Sequence, residues 1–221
     1  ANLSQSLGIP GEPEKNLFTE LSKEIAGEGS QLGEAIIHTR SGIDVIPSSI
    51  ELAGTELELV SVYGREQIFR WMLDNIKDQY EYIFIDCPPS IGMLTVNALV
   101  ASNYVLMPLQ AEFLPLKGVR SFISHLKAIQ KLNKQLEILG FIITRYDERK
   151  IMNRQINEEL EKEFGDKTFK THIRSNIQLA KAQQAGLDIF SFDKHCHGAQ
   201  DHKMLAEEFM QKIEAAVPAY T

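Results

Sequence analysis

The stretch Tyr82-Ile83-Phe84-Ile85-Asp86-Cys87-Pro88-Pro89-Ser90 constrains this chain more than any other. A short apolar run closed by turn residues has the pattern of a buried parallel strand. The two prolines cannot extend a ladder, and Ser90 is a good N-cap for a helix starting after it. An acid at the carboxyl end of such a strand lies on the sheet edge where open α/β folds bind ligands. Asp86 then has two readings. It is a Walker-B-type carboxylate that holds the water shell of a nucleotide-bound Mg²⁺, or it only caps the next helix. Cys87 reads as a small buried residue, since no basic partner is near it in sequence.

On either side, apolar segments alternate with helical periodicity. Two short strands at 35–38 and 43–47 are expected to turn at Ser41-Gly42. A helix in the fifties is capped by Ser48 or Ser49, and one from about Arg65 buries Ile68, Met72 and Ile76. After the central strand 81–86 the pattern predicts a small apolar helix over 91–101, a strand at 104–107 and a helix over 115–133. A strand at 136–144 and a charged helix over 151–164 follow. The last part reads as a short strand at 168–169, a helix at 176–184, a strand at 189–192 and an amphipathic helix over 199–215. Strands alternating with helices imply an α/β fold, a mostly parallel sheet flanked by helices with right-handed crossovers. The length of 221 residues fits one domain over 1–221.

Composition narrows the classes. Charged residues at 24% and apolar ones at 43% are ordinary for a globular chain. No run reaches membrane-spanning length, and two cysteines give no disulfide framework, which fits a reduced cytoplasmic protein. A net charge of −7 argues against a general polyanion binder. Yet residues 1–60 hold ten acids and three bases, which accounts for all of it. Local basic faces elsewhere can still meet nucleic-acid phosphates. His195, Cys196, His197 and His202 have ligand types that suit zinc, without the spacing of a standard finger.

The stretch 80–119 resembles the middle of ParA-type partition ATPases, the ParA/Soj/MinD superfamily with a deviant Walker A loop. The residues that carry this are Asp86, Pro88, Pro89, Ser90, Asn97, Ala98, Pro108, Gln110, Glu112 and Gly118. The resemblance continues through 140–149, through Ile173-Arg174-Ser175-Asn176, and into Gly198-Ala199 and Leu205-Ala206-Glu207. It implies a P-loop NTPase-like fold whose first βαβ portion is missing. The family's phosphate loop, KGGxGK[ST], is absent, and residues 1–9 resemble the segment that follows the family's Asp-x-Asp-Pro-Gln switch.

The resemblance further implies an ATP hydrolase with ATP and Mg²⁺ as cofactors, which in the 221 residues alone is expected to be inactive. Asp86 would be catalytic, holding the metal through water. Pro88, Gln110, Glu112, Thr144, Arg145, Ile173, Arg174 and Asn176 would surround the nucleotide, the last five forming the adenine pocket. Arg149, Lys150, Arg154, Lys170, Arg174 and Lys203, with Lys181, would meet DNA phosphates. The implied partners are a second copy on ATP, nonspecific DNA and a centromere-binding ParB-like protein, with a nucleoid-associated cytoplasmic location. Three alternatives share the scaffold: a non-catalytic truncated paralogue that only pairs with others, a MinD-like cell-division positioning ATPase, and an amide-forming ligase. The acidic C-terminal helix, with Glu207, Glu208 and Glu214, is a poor membrane anchor and favours the DNA branch.

Overall fold

The computed structural model describes residues 2–9, 11–111 and 116–216. The chain divides into two compact units. The first is Ala1–Asn103, Phe122–Leu136 and Ala185–Leu187. The second is Tyr104–Ser121, Glu137–Gln184 and Asp188–Thr221.

The first unit holds α1 (Asn2–Ser6), α2 (Leu17–Ala26), β1 (Ile37–His38), β2 (Asp44–Val45), α3 (Thr55–Leu59), α4 (Ile68–Asp74) and α5 (Met93–Ala101). Asn16 and Thr19 start α2 with a reciprocal capping box, and Gly27, at φ 77°, ends it. β1 and β2 pair antiparallel around the expected turn. The core packs Leu21, Leu59, Ile68, Phe69, Met72 and Ala98.

Two buried amides tie this unit together. Asn97 accepts the Phe69 N–H at 3.2 Å and donates to the Arg65 and Met93 carbonyls at 2.7 and 3.0 Å. Asn133 donates to the Leu99 and Ser102 carbonyls at 3.1 and 2.6 Å, closing the end of α5. Buried polar groups satisfied in this way fix one arrangement of the helices.

The second unit is a three-stranded parallel sheet in the order β3 (Tyr104–Gln110), β4 (Glu137–Tyr146), β5 (Ile173–Arg174). Its helices are α7 (Ile151–Phe164), α8 (Ile177–Gln184), α9 (Ile189–Asp193) and α10 (His197–Ala216), while α6 (Leu116–Ile129) gives residues to both units. β4 is buried through its middle, from Leu139 to Ile143, with Phe141 and Ile143 at 0% exposure. The Phe141 and Phe164 rings stack at 4.3 Å. Gly140 is required, because a Cβ there would lie 2.4 Å from the Lys167 carbonyl oxygen.

The structure corrects several expectations. Residues 82–88 take no regular secondary structure and belong to neither sheet of the described residues. Ile83 is 41% exposed and Phe84 73%. A parallel strand is buried on both faces only when neighbouring strands and helices cover it, and neither sheet takes this segment in. Cys87 is accordingly exposed rather than buried. The strand expected at 189–192 is α9, because the Asp188 carboxylate accepts the Ser191 N–H at 2.9 Å and its hydroxyl at 2.6 Å. That N-cap outweighs an apolar β signal. At 168–169 a single bridge, Phe141 to Thr168, replaces a strand. Ser49 precedes a 3₁₀ turn without a side-chain cap, and its buried hydroxyl has no partner among the described residues.

Candidate nucleotide-binding site

β3, β4 and β5 run parallel, so their carboxyl ends share one rim. Gln110 stands opposite Thr144, Thr144 opposite Ile173, and Tyr146 opposite Arg174. Gln110, Thr144, Arg145, Ile173 and Arg174 are therefore brought to one sheet edge, with Asn176 just beyond β5. Glu112 lies outside the described residues.

The rim is held by short bonds. The Thr144 hydroxyl donates to the Leu109 carbonyl at 3.2 Å, and the Ala111 N–H donates to the Thr144 carbonyl at 2.9 Å. The register shifts between Thr144 and Tyr146, and Arg145 has φ 54°, the one non-glycine in the left-handed region among the described residues. A bulge at the end of a strand re-aims the residues beside it. Asn153, the third residue of α7 and fully buried, spans two strand ends. Its amide donates to the Ala111 carbonyl at 2.9 Å and accepts the Asp147 N–H at 2.8 Å. Nothing in the sequence singled out Asn153; a polar residue on the apolar face of a charged helix was the available signal.

Arg174 is committed within the fold. Its guanidinium forks onto the buried Asp201 at 2.6–3.2 Å, and its own N–H donates to the same carboxylate at 2.9 Å. Desolvation opposes the charge on Asp201, but Arg174 prevails and holds the carboxyl below its ordinary value. Asn176 accepts the Gln178 N–H at 2.8 Å and so starts α8. His172, half-buried, tilts against Tyr146 with ring centroids 4.3 Å apart and reaches Asn157 at 2.9 Å. Burial lowers its pKa.

The candidate DNA-contacting cations all lie in the second unit. Arg149 forks onto Asp147 at 2.9 Å through both Nε and Nη2, and that pairing takes the Asp147 carboxyl down to about 2. Lys150 and Arg154 follow one turn apart at the start of α7, both exposed. Lys170 is exposed, and its N–H is held by Glu208 at 2.8 Å. Lys181 on α8 and Lys203 on α10 are exposed. These cations occupy several elements, and only the 149–154 group is local.

Asp86 and Pro88 belong to the first unit and are exposed. The helix after them starts at Gly92, not at Ser90, whose carbonyl accepts the Thr95 hydroxyl at 2.7 Å. The Glu56 carboxylate accepts the Leu94 N–H at 3.4 Å, and a Cβ on Gly92 would fall 2.1 Å from it. Glu56, rather than Asp86, thus meets the start of α5. Although Cys87 is exposed as a residue, its surroundings partly desolvate the thiol and, with the Asp86 charge, push it up to about 11. Among the described residues no three His, Cys, Asp or Glu side chains gather as a metal cluster, which leaves the 195–202 tract without one. No helix among them is long and apolar enough to cross a membrane.

A parallel α/β sheet with polar residues gathered on its carboxyl rim is the arrangement at which open α/β folds bind ligands. Comparison with known proteins places the chain more closely. An AAA domain family model matches residues 1–138. The sporulation initiation inhibitor protein Soj of Bacillus subtilis is 42% identical over 77% of this chain and 68% of its own length. The chromosome-partitioning ATPase Soj of Treponema pallidum is 40% identical over 76% of this chain and 66% of its own. The chromosome partitioning protein ParA of Caulobacter vibrioides is 34% identical over 96% and 79%. Among solved structures, cobyrinic acid a,c-diamide synthase from Mycobacterium smegmatis with bound ATP analog and magnesium superposes with a TM-score of 0.80 at 26% identity, covering 99% of this chain and 82% of that one. The cell division ATPase MinD of Pyrococcus furiosus gives 0.71 at 22% identity, covering 98% and 82%, a likeness of fold alone. The chain belongs to the ParA/Soj family of partition ATPases. It spans about two thirds of the length of the two Soj relatives.

Proposed function

We propose that this protein is an ATP-dependent switch for chromosome or plasmid partitioning. Two copies close on ATP and Mg²⁺, hold nonspecific DNA, and release it after slow hydrolysis to ADP and phosphate, prompted by a ParB-like centromere-binding partner. The observation that carries the reading is the convergence of Gln110, Thr144, Arg145, Ile173 and Arg174 on one parallel-sheet rim in a member of this family. The Thr144-Arg145 and 173–176 loops contact the adenine. Arg174 lines the site without donating to the nucleotide, since its guanidinium and its backbone N–H are both held by Asp201.

Asp86 is the metal-facing carboxylate. Magnesium is commonly held by one or two carboxylates together with substrate phosphates, so a single exposed hard oxygen donor fits it without a protein cage. The bound metal would neutralise charge on the phosphates. Turnover also needs a phosphate loop, which residues 1–221 do not contain. Arg149, Lys150 and Arg154 form the local part of the DNA face, joined by Lys170 and Lys203 in the nucleoid-bound dimer.

The test uses the protein at its natural length. ATP should cause retention on nonspecific DNA at low salt, and retention should fall steeply as salt rises. Asp86→Ala should lower Mg²⁺-dependent ATP turnover by roughly a hundredfold or more. Unchanged turnover in that variant removes Asp86 from the mechanism. Retention indifferent to both ATP and salt sinks the switch and leaves a non-catalytic interaction module.

A further inference from the structure

Two strand ends at the rim depend on one side chain that lies on neither strand. Ala111 is the first residue after β3, and Asp147 the first after β4. Asn153 bonds both, with its Nδ2 on the Ala111 carbonyl and its Oδ1 on the Asp147 N–H. Between Thr144 and Asp147 the chain makes its bulge, with Arg145 in a backbone region that L-residues with side chains seldom adopt. Such a conformation persists only where surrounding structure over-determines it. Thr144, paired to Ala111 by a backbone bond, fixes one side of the bulge. Asn153 fixes the other.

We propose that Asn153 is a positioning residue for the bound nucleotide: by fastening the ends of β3 and β4 it holds the Thr144-Arg145 bulge in the shape that receives the base. This rests on the reading of that rim as the nucleotide site. The side-chain chemistry is specific. Both bonds need one donor and one acceptor on a short planar group, which the Asn amide supplies. Alanine supplies neither. Aspartate can keep the Asp147 bond, but it turns an acceptor toward the Ala111 carbonyl. Asn153 touches no reacting atom, so its loss should weaken binding and base discrimination and leave the chemical step alone.

The experiment measures ATP and GTP turnover and the binding of a fluorescent ATP analogue by the natural-length protein. Asn153→Ala should raise KM for ATP and the analogue Kd about tenfold, since small displacements of a binding frame have effects of that order. It should hold kcat within about twofold and lower the preference for ATP over GTP. Asn153→Ser, whose hydroxyl can keep one of the two bonds without burying a charge, should fall between wild type and alanine, and it serves if alanine does not fold. A merely structural role gives the opposite split: fewer folded molecules, hence lower kcat per total protein, with KM and base preference unchanged. That result overturns the assignment. If the wild type itself binds no adenine nucleotide, the rim reading fails and the assignment falls with it; if it binds and the variants bind equally well, only the role of Asn153 is lost.

Discussion

The segment 82–90 and the rim of β3–β5 make an instructive pair. The segment carries the strongest motif in the chain, Asp-Cys-Pro-Pro-Ser after an apolar run, yet among the described residues it joins no sheet and leaves Phe84 73% exposed. The rim carries almost no motif, yet three strands, a bulge and two buried side chains, Asn153 and Asp201, build it in detail. A motif records which chemistry a position has to perform. A built site records which backbone groups have to be held still, and those are satisfied by residues that can sit anywhere in the sequence.

Stability measurements sharpen that contrast most. Ile143, at 0% exposure in β4, packs with Ala111, Ile156 and Leu160. Ile143→Ala should cost about 2–5 kcal/mol in urea unfolding of the 221-residue chain. Ile83→Ala, at a position 41% exposed, should cost below about 1 kcal/mol in the same chain. A cost that climbs into the buried range would mean the segment gains in solution the covering its apolar pattern calls for, and a small cost means the pattern misleads about its environment.

The same contrast explains what the sequence could tell. The alternation of apolar runs with helical periodicity was enough for the parallel order of β3 and β4, for α7 over 151–164 and for the β1–β2 turn, because each depends on local pattern. The helix at Ile189–Asp193 was illegible to an apolar count, since the Asp188 cap decides it. The side-chain ties at the two ends of α5 were beyond reach for another reason: Glu56 and Asn133 lie far along the chain from the helix ends they bond. Thr144, Arg145 and Ile173 were singled out through resemblance, and the strand pairing brings them to one rim. Asn153 and Asp201 were not, since one supports backbone groups and the other neutralises a side chain that itself looked like a ligand contact.

Asp201 gives the next test of the built region. Its carboxylate takes three donors from Arg174. Asp201→Ala should cost about 2 kcal/mol at neutral pH, the scale for hydrogen bonds to a charged group. The sign of the pH dependence follows from the lowered carboxyl. A depressed folded-state pKa contributes stability above the unfolded value and loses it as pH falls. The gap between wild type and Asp201→Ala should therefore hold at pH 7 and close as pH drops below the ordinary 3.8. Equilibrium unfolding at several pH values reads this directly, and a gap that persists well below that value would mean packing, not charge, holds α10 to β5.

The smallest effect probes the bulge itself. With φ 54°, Arg145 occupies a conformation that glycine adopts freely and a β-branched residue resists. Arg145→Gly should leave stability within about 1 kcal/mol of wild type, because relief of strain offsets the added freedom of the unfolded chain. Arg145→Val should lower it by about 1–2 kcal/mol. The order glycine above valine is the informative quantity, since both variants lose the same guanidinium. If valine is tolerated as well as glycine, the backbone at 145 is free to leave the left-handed region, and the ties from Thr144 and Asn153 do not hold the rim in the way its geometry implies.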